Sequence, residues 1–80
     1  MLQELKTAKK VVGAKQLHKA LKEQTVAHAF LAQDADPRLT GPIEELCRNE
    51  HIDVQWVPTM AQLGHACAIE VGAAMAGILR

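Results

Sequence analysis

The sequence predicts an α/β protein with one four-stranded sheet and helices on both of its faces. Three observations carry this expectation. Helical and strand periodicities alternate along the chain in the order α-β-α-β-α-β-α-β, and such alternation builds a single sheet covered by helices. The junctions are marked by breakers and caps, at "VVGA", "DADP" and "VPT". Apolar residues make up 49% of the 80, which suits a packed core and not a disordered chain. Phe30 and Trp56 are the only aromatic residues, so that core must be aliphatic.

The elements follow in order. Residues 2–9 read as a polar helix anchored by Leu2 and Leu5. "VVGA" (11–14) is a short strand ending in a glycine turn. A helix runs from about Ala14 to Gln24. Its lysines at 15, 19 and 22 fall in one narrow arc, because successive helical residues turn by about 100°. Leu17, Ala20 and Leu21 lie on the opposite side and face a core. "VAHAFLA" (26–32) is a strand of period two, with His28 on the same parity as Val26 and Phe30. Asp36 caps a turn with Pro37 at the first helical position. Thr40, Gly41 and Pro42 restart the helix, since Pro42 would break a continuous one. Ile43, Leu46 and Cys47 then form its apolar stripe. "IDVQWV" (52–57) is a strand ended by Pro58. Thr59 and Gln62 match a capping box for a short helix reaching about Cys67. "AIEVG" is a loop, and "AAMAGIL" (73–79) is a buried strand.

Length allows one domain, residues 1–80. The N-terminus lacks the apolar stretch of a secretory leader, and no run approaches the roughly 18 apolar residues of a membrane span. A cytoplasmic protein with reduced thiols is expected. The formal charge is zero but unevenly spread. Residues 1–24 hold six lysines against Glu4 and Glu23, a balance of +4, and the remainder balances it at −4. On charge alone, a solvated lysine face and an anion-binding face fit equally well.

Enzymatic chemistry finds little support. Cys47 lies four residues from His51, and Cys67 two from His65, but a thiol nucleophile needs a base beside it, and both cysteines read as core. Four scattered histidines and two cysteines lack the spacing of a zinc site. Asp34 and Asp36 form a carboxylate pair, yet capping accounts for Asp36. "GAKQLHK" lacks the second glycine and the Lys-Ser/Thr of a nucleotide-cradling loop. No catalytic residue, metal or cofactor is expected.

A binding site reads better. A helix N-terminus offers unpaired N–H groups and a partial positive charge, which suits a phosphate. Gly13 permits close backbone approach. Lys15 can donate to guanine or phosphate, and Gln16 can donate and accept at a base edge. Lys19, one turn on, would meet the backbone. A second element is "AIEVG", where Ile69 and Val71 flank Glu70. Pattern alone favours both aliphatic side chains tucking under the loop into the core.

"GAKQLHKAL", "AQDADP" and "VPTMAQLGHACAIEVGAA" occur here in an order and with gaps that match one family. The chain resembles the archaeal kink-turn-binding ribosomal protein family, L-seven-Ae, and most closely its short bacterial relatives of the YbxF type. The resemblance spans about residues 5 to 79. It implies a three-layer α/β/α sandwich around one central four-stranded mixed sheet. It also implies binding to kink-turn RNA, a duplex bent at a bulge beside sheared G·A pairs. By that resemblance Lys15 and Gln16 would read the G·A pairs, with Gly13 and Ala14 at the turn and Lys19 on phosphates. Ile69, Glu70 and Val71 would pack on unstacked bulge nucleotides, with Asp36 near the bulge. The resemblance thus reverses the expectation for the loop. Two departures from the family stand out. Archaeal and eukaryotic members carry Asn-Glu where this chain has Lys15-Gln16, a pair the bacterial relatives share. The usual loop glycine is Ala68, a residue that tolerates positive φ poorly, and Gly72 stands at the usual proline or glycine position.

The expected function is recognition and stabilisation of kink-turn RNA by a monomer. The RNA would be ribosomal, a riboswitch or a messenger leader, with the ribosome itself as a candidate partner and neither DNA nor membrane involved. The alternative is a protein-interaction or ribosome-associated module without kink-turn specificity. A third reading, an enzyme using Cys67 or His65, has the least behind it.

Overall fold

Strand pairing places all eight elements around one sheet. The computed structural model describes residues 2–80, with the side chain of Leu2 outside that description. The chain starts in a 3-10 turn, Leu2–Lys6, and continues through β1 (Lys10–Val12), α1 (Ala14–Lys22) and β2 (Val26–Ala32). Then follow α2 (Pro37–Asn49), β3 (Asp53–Val57), α3 (Met60–Ala66) and β4 (Met75–Leu79). The sheet is mixed, in the order β1-β4-β2-β3. β2 and β3 run parallel, joined by the α2 crossover, and β4 runs antiparallel to both β1 and β2.

Burial splits the core into two layers. Leu17, Ala20 and Leu21 of α1 and Ile43 and Cys47 of α2 pack on Val26, Ala29, Leu31 and Met75 of the sheet. On the other face Leu5 of the 3-10 turn, Leu63 of α3 and Cys67 at the end of that helix meet Phe30, Ala32, Val57, Ala76 and Ile78. The result is the expected three-layer sandwich, with Phe30 as its buried ring.

Four local expectations are corrected. The N-terminal helix is only the 3-10 turn, because pairing of Lys10 with Ile78 draws the chain into β1. Leu5 is its buried anchor, while the Leu2 side chain, the other expected anchor, lies outside the described residues. α2 is one helix through Pro42 and does not restart there. Pro42 and its neighbour Gly41 sit on the exposed side. The carbonyl that loses its donor can therefore face water, and a glycine before proline removes the Cβ clash that normally ends a helix. β4 begins at Met75 and not at 73, because the Ala73 amide donates to the Met60 carbonyl at 3.0 Å. Finally, Val26 and His28 do not share a face. A register shift between them leaves Ala27 as an extra residue against β4, and a bulge of this kind switches parity. Val26 joins the layer under α1 and α2, and His28 falls on the face of Phe30, half-buried with its Nδ1 unpartnered.

All three α-helices stop in the same way. The residue after each C-cap is left-handed without being glycine: Gln24 (φ 59°), His51 (φ 57°) and Ala68 (φ 62°). Its amide and the next one donate back to the last turn, as in Ala68 to His65 at 3.0 Å and Ile69 to Gly64 at 3.1 Å. This paired arrangement satisfies otherwise orphaned carbonyls.

Candidate nucleic-acid interface

The strand directions decide what can meet. The C-terminal ends of β1, β2 and β3 and the start of β4 share one end of the sheet. The three α-helices therefore all begin there, and so does the stretch that delivers the chain into β4. Their N-termini are treated differently. Asp36 caps α2 by accepting from the Arg38 amide at 2.9 Å. Thr59 caps α3 by accepting from the Gln62 amide at 3.0 Å. Asp34 adds a second tie, accepting from the Met60 amide at 2.8 Å, a role for Asp34 that sequence spacing did not reveal.

α1 has no such cap. Its N-cap is Gly13, held at φ 100° with no side chain to offer, a conformation essentially closed to other residues. Gly13 is fixed by its own amide, which donates to the Met75 carbonyl at 2.9 Å. The first helical bond to this end is Leu17 to Gly13 at 3.0 Å, so the amides of Ala14, Lys15 and Gln16 lack intrahelical partners. Lys15, Gln16 and Lys19 are exposed, and Gly13 and Ala14 are half-buried. The end of α1 is thus a set of free donors beside two exposed polar side chains.

The loop after α3 runs back along that helix. A Cβ on Gly64 would collide with the Val71 carbonyl oxygen, so the glycine is what lets the loop lie against α3. Neither aliphatic side chain tucks into the core: Ile69 is 37% exposed and Val71 71%. Glu70 between them is exposed as well. Ile69 and Glu70 also border a shallow groove of about 480 Å³ shared with Gln3, Lys6 and His65. Ala68 does take positive φ despite its Cβ.

Asp36 stands at the same end, exposed, and bound to Arg38 at 2.8 Å. The Arg38 hydrogen bonds hold its carboxyl below the usual carboxylate range, and Asp36 in turn raises Arg38. Sequence reasoning missed Leu39, which is 48% exposed in the first turn of α2. Its signal was available, since Leu39 lies off the stripe of Thr40, Ile43 and Cys47 that α2 buries.

The thiols have a different character. Cys47 and Cys67 are buried and unpaired. Burial, with Glu44 adding to it, pushes the Cys47 thiol up to about 11; burial also raises Cys67, against a smaller opposing effect of Lys10. Neither environment generates a thiolate nucleophile. Among the described residues no group of three or more His, Cys, Asp or Glu side chains converges as a metal site would require.

The geometry defines an α/β/α protein with an open polar helix start at one end of its sheet and an exposed aliphatic loop that lies along α3. Residues 1–80 match the ribosomal protein L7Ae/L30e/S12e/Gadd45 family, and the chain belongs to it. It is 44% identical over 69 residues to an RNA-binding protein of Bacillus pumilus, covering 86% of this chain and 84% of that one. It is 38% identical over 76 residues to the RNA-binding protein YbxF of Geobacillus stearothermophilus, covering 95% and 93%. In fold it is similar to a Giardia lamblia 15.5kD RNA binding protein, with a TM-score of 0.89 at 22% identity over 99% of this chain and 70% of that one.

Proposed function

We propose that this protein binds kink-turn RNA and stabilises its bent form. The observation that carries the reading is the uncapped start of α1, with Gly13 at φ 100° and exposed Lys15 and Gln16, at the sheet end that also holds Asp36 and towards which the exposed Ile69–Val71 loop returns along α3. RNA binding by relatives this similar supports it.

The parts have distinct tasks in this reading. The free amides and partial positive charge of the α1 start attract acceptors in the widened groove at the G·A pairs. Lys15 donates to guanine acceptors, and Gln16 both donates and accepts. Lys19 meets a phosphate one turn on. Ile69 and Val71 cover bases left unstacked by the bulge. Each contact exists only when the RNA is bent, so binding shifts the RNA from extended to kinked. On this reading the chain acts as a cytoplasmic monomer on ribosomal or other structured RNA.

The test is a titration of the protein into a kink-turn duplex labelled on both arms, without magnesium, beside an RNA with its G·A pairs replaced. Energy transfer should rise only for the intact kink-turn. Equal, weak binding to both RNAs would leave the family fold and replace this function with that of an interaction module. Lys15→Ala with Gln16→Ala should cut the preference for the intact RNA at least about tenfold, given about 1–3 kcal/mol for a good base contact.

A further inference from the structure

The six lysines of the chain occupy one side of the molecule. Lys6 is in the 3-10 turn, Lys9 and Lys10 are at β1, and Lys15, Lys19 and Lys22 are on α1. β1 is an edge strand. α1 covers one face of the sheet beside it, and the 3-10 turn belongs to the opposite layer. Five of the lysines therefore lie on or beside a free sheet edge, and Lys6 comes from the opposite layer, in the groove it shares with Glu70. All are exposed except half-buried Lys10, and none is held in an ion pair among the described residues. The acids on these elements are Glu4 and, at the C-cap of α1, Glu23. The other edge has the reverse character, with Glu44 and Glu45 on α2, Glu50 at its C-cap and Asp53 on β3.

We propose that this β1 edge is a second RNA contact, which takes the phosphate backbone of the duplex arm leaving the α1 start. The inference rests on the proposed RNA binding at that start. Its geometry follows from element direction. β1 runs towards Gly13 and α1 runs away from it, so Lys10 and Lys9 lie about 10–13 Å back along the strand at roughly 3.3 Å per residue. Lys19 and Lys22 lie about 9–14 Å along the helix from it at roughly 1.5 Å per residue. Strand and helix lysines thus flank the same path leading from the site. A nucleic-acid duplex carries about one charge per 1.7 Å of its axis, so an arm on this path meets several lysines at once. Lysine is a flexible point charge, and phosphate contacts carry no sequence information. The edge therefore sets affinity and salt dependence, and the α1 start sets selectivity.

The test compares wild type with the Lys6→Gln/Lys9→Gln/Lys10→Gln variant on the intact kink-turn and on the G·A-replaced RNA, from low to high salt. Each lost phosphate contact lowers the log–log salt slope by about one. The variant should lose about two to three in slope and roughly ten- to a hundredfold in low-salt affinity, while keeping its ratio between the two RNAs. Lys6→Gln/Lys9→Gln, which spares half-buried Lys10, should lose up to two in slope with β1 unaltered. Arg48→Gln on α2 should change nothing. An unchanged slope in both lysine variants overturns the proposal. Loss of the ratio in wild type would defeat the kink-turn reading instead, and the slope on either RNA would still decide the edge.

Discussion

At the scale of single residues, backbone conformation and burial make separate demands. Ala68 occupies the left-handed region at the end of α3. That conformation costs a non-glycine residue about 1–2 kcal/mol, and glycine returns about 0.5–1 kcal/mol of this as unfolded-chain entropy. Ala68→Gly should therefore stabilise the protein by about 0.5–1 kcal/mol in urea denaturation; a loss of stability would mean the loop needs the methyl group. Cys47 makes the opposite kind of demand. Its folded thiol keeps its proton to about pH 11, against an ordinary value of 9.0. Below that ordinary value both states are protonated and the contribution is complete. Above it the unfolded thiol ionises first, so stability falls as pH rises. At about 1.4 kcal/mol per unit, wild type should lose about 2–3 kcal/mol more than Cys47→Ala between pH 8 and pH 11. Equal losses would remove the thiol from the account.

At the scale of elements, end chemistry assigns the roles. Two helix starts are closed by Asp36 and Thr59, and the start proposed to meet RNA is left open behind Gly13. The loop of Ile69, Glu70 and Val71 depends on Gly64, whose hydrogen occupies the only room the Val71 carbonyl leaves. Backbone cannot rotate away as a side chain can. Gly64→Ala should therefore displace residues 68–72 and weaken binding to kink-turn RNA at least severalfold, while far-UV helicity is retained. Wild-type affinity with unshifted loop amides in NMR spectra would show that the loop contributes nothing.

At the scale of the whole molecule, a small core leaves little reserve. Phe30 is the largest fully buried side chain and lies on central strand β2. Phe30→Ala typically costs about 3–5 kcal/mol, against a total near 4–12 kcal/mol for a chain of this size at about 0.05–0.15 kcal/mol per residue. The variant's thermal midpoint should fall by more than about ten degrees in circular dichroism, at about 4–8 °C per kcal/mol, and a midpoint within a few degrees of wild type would contradict the described core. The same scale governs the site. One sheet end gathers the starts of all three α-helices because β1, β2 and β3 finish there, and one sheet edge gathers most of the lysines because β1 forms it and α1 packs beside it.

The sequence by itself determined the order and type of the elements, the caps at Asp36 and Thr59, the apolar faces of α1 and α2, and the polar start of α1. These are local matters, governed by periodicity over one or two turns and by the side chain next to each orphaned amide. Tertiary structure alone decided the rest. Pairing with β4 displaced parity at Ala27, so that Val26 and His28 part company. An exposed face let α2 continue through Pro42. Gly64 laid the loop along α3, leaving Ile69 and Val71 outside a core that pattern alone would have had them enter. Burial, register and close approach depend on residues far apart in the chain, and no local spacing records them.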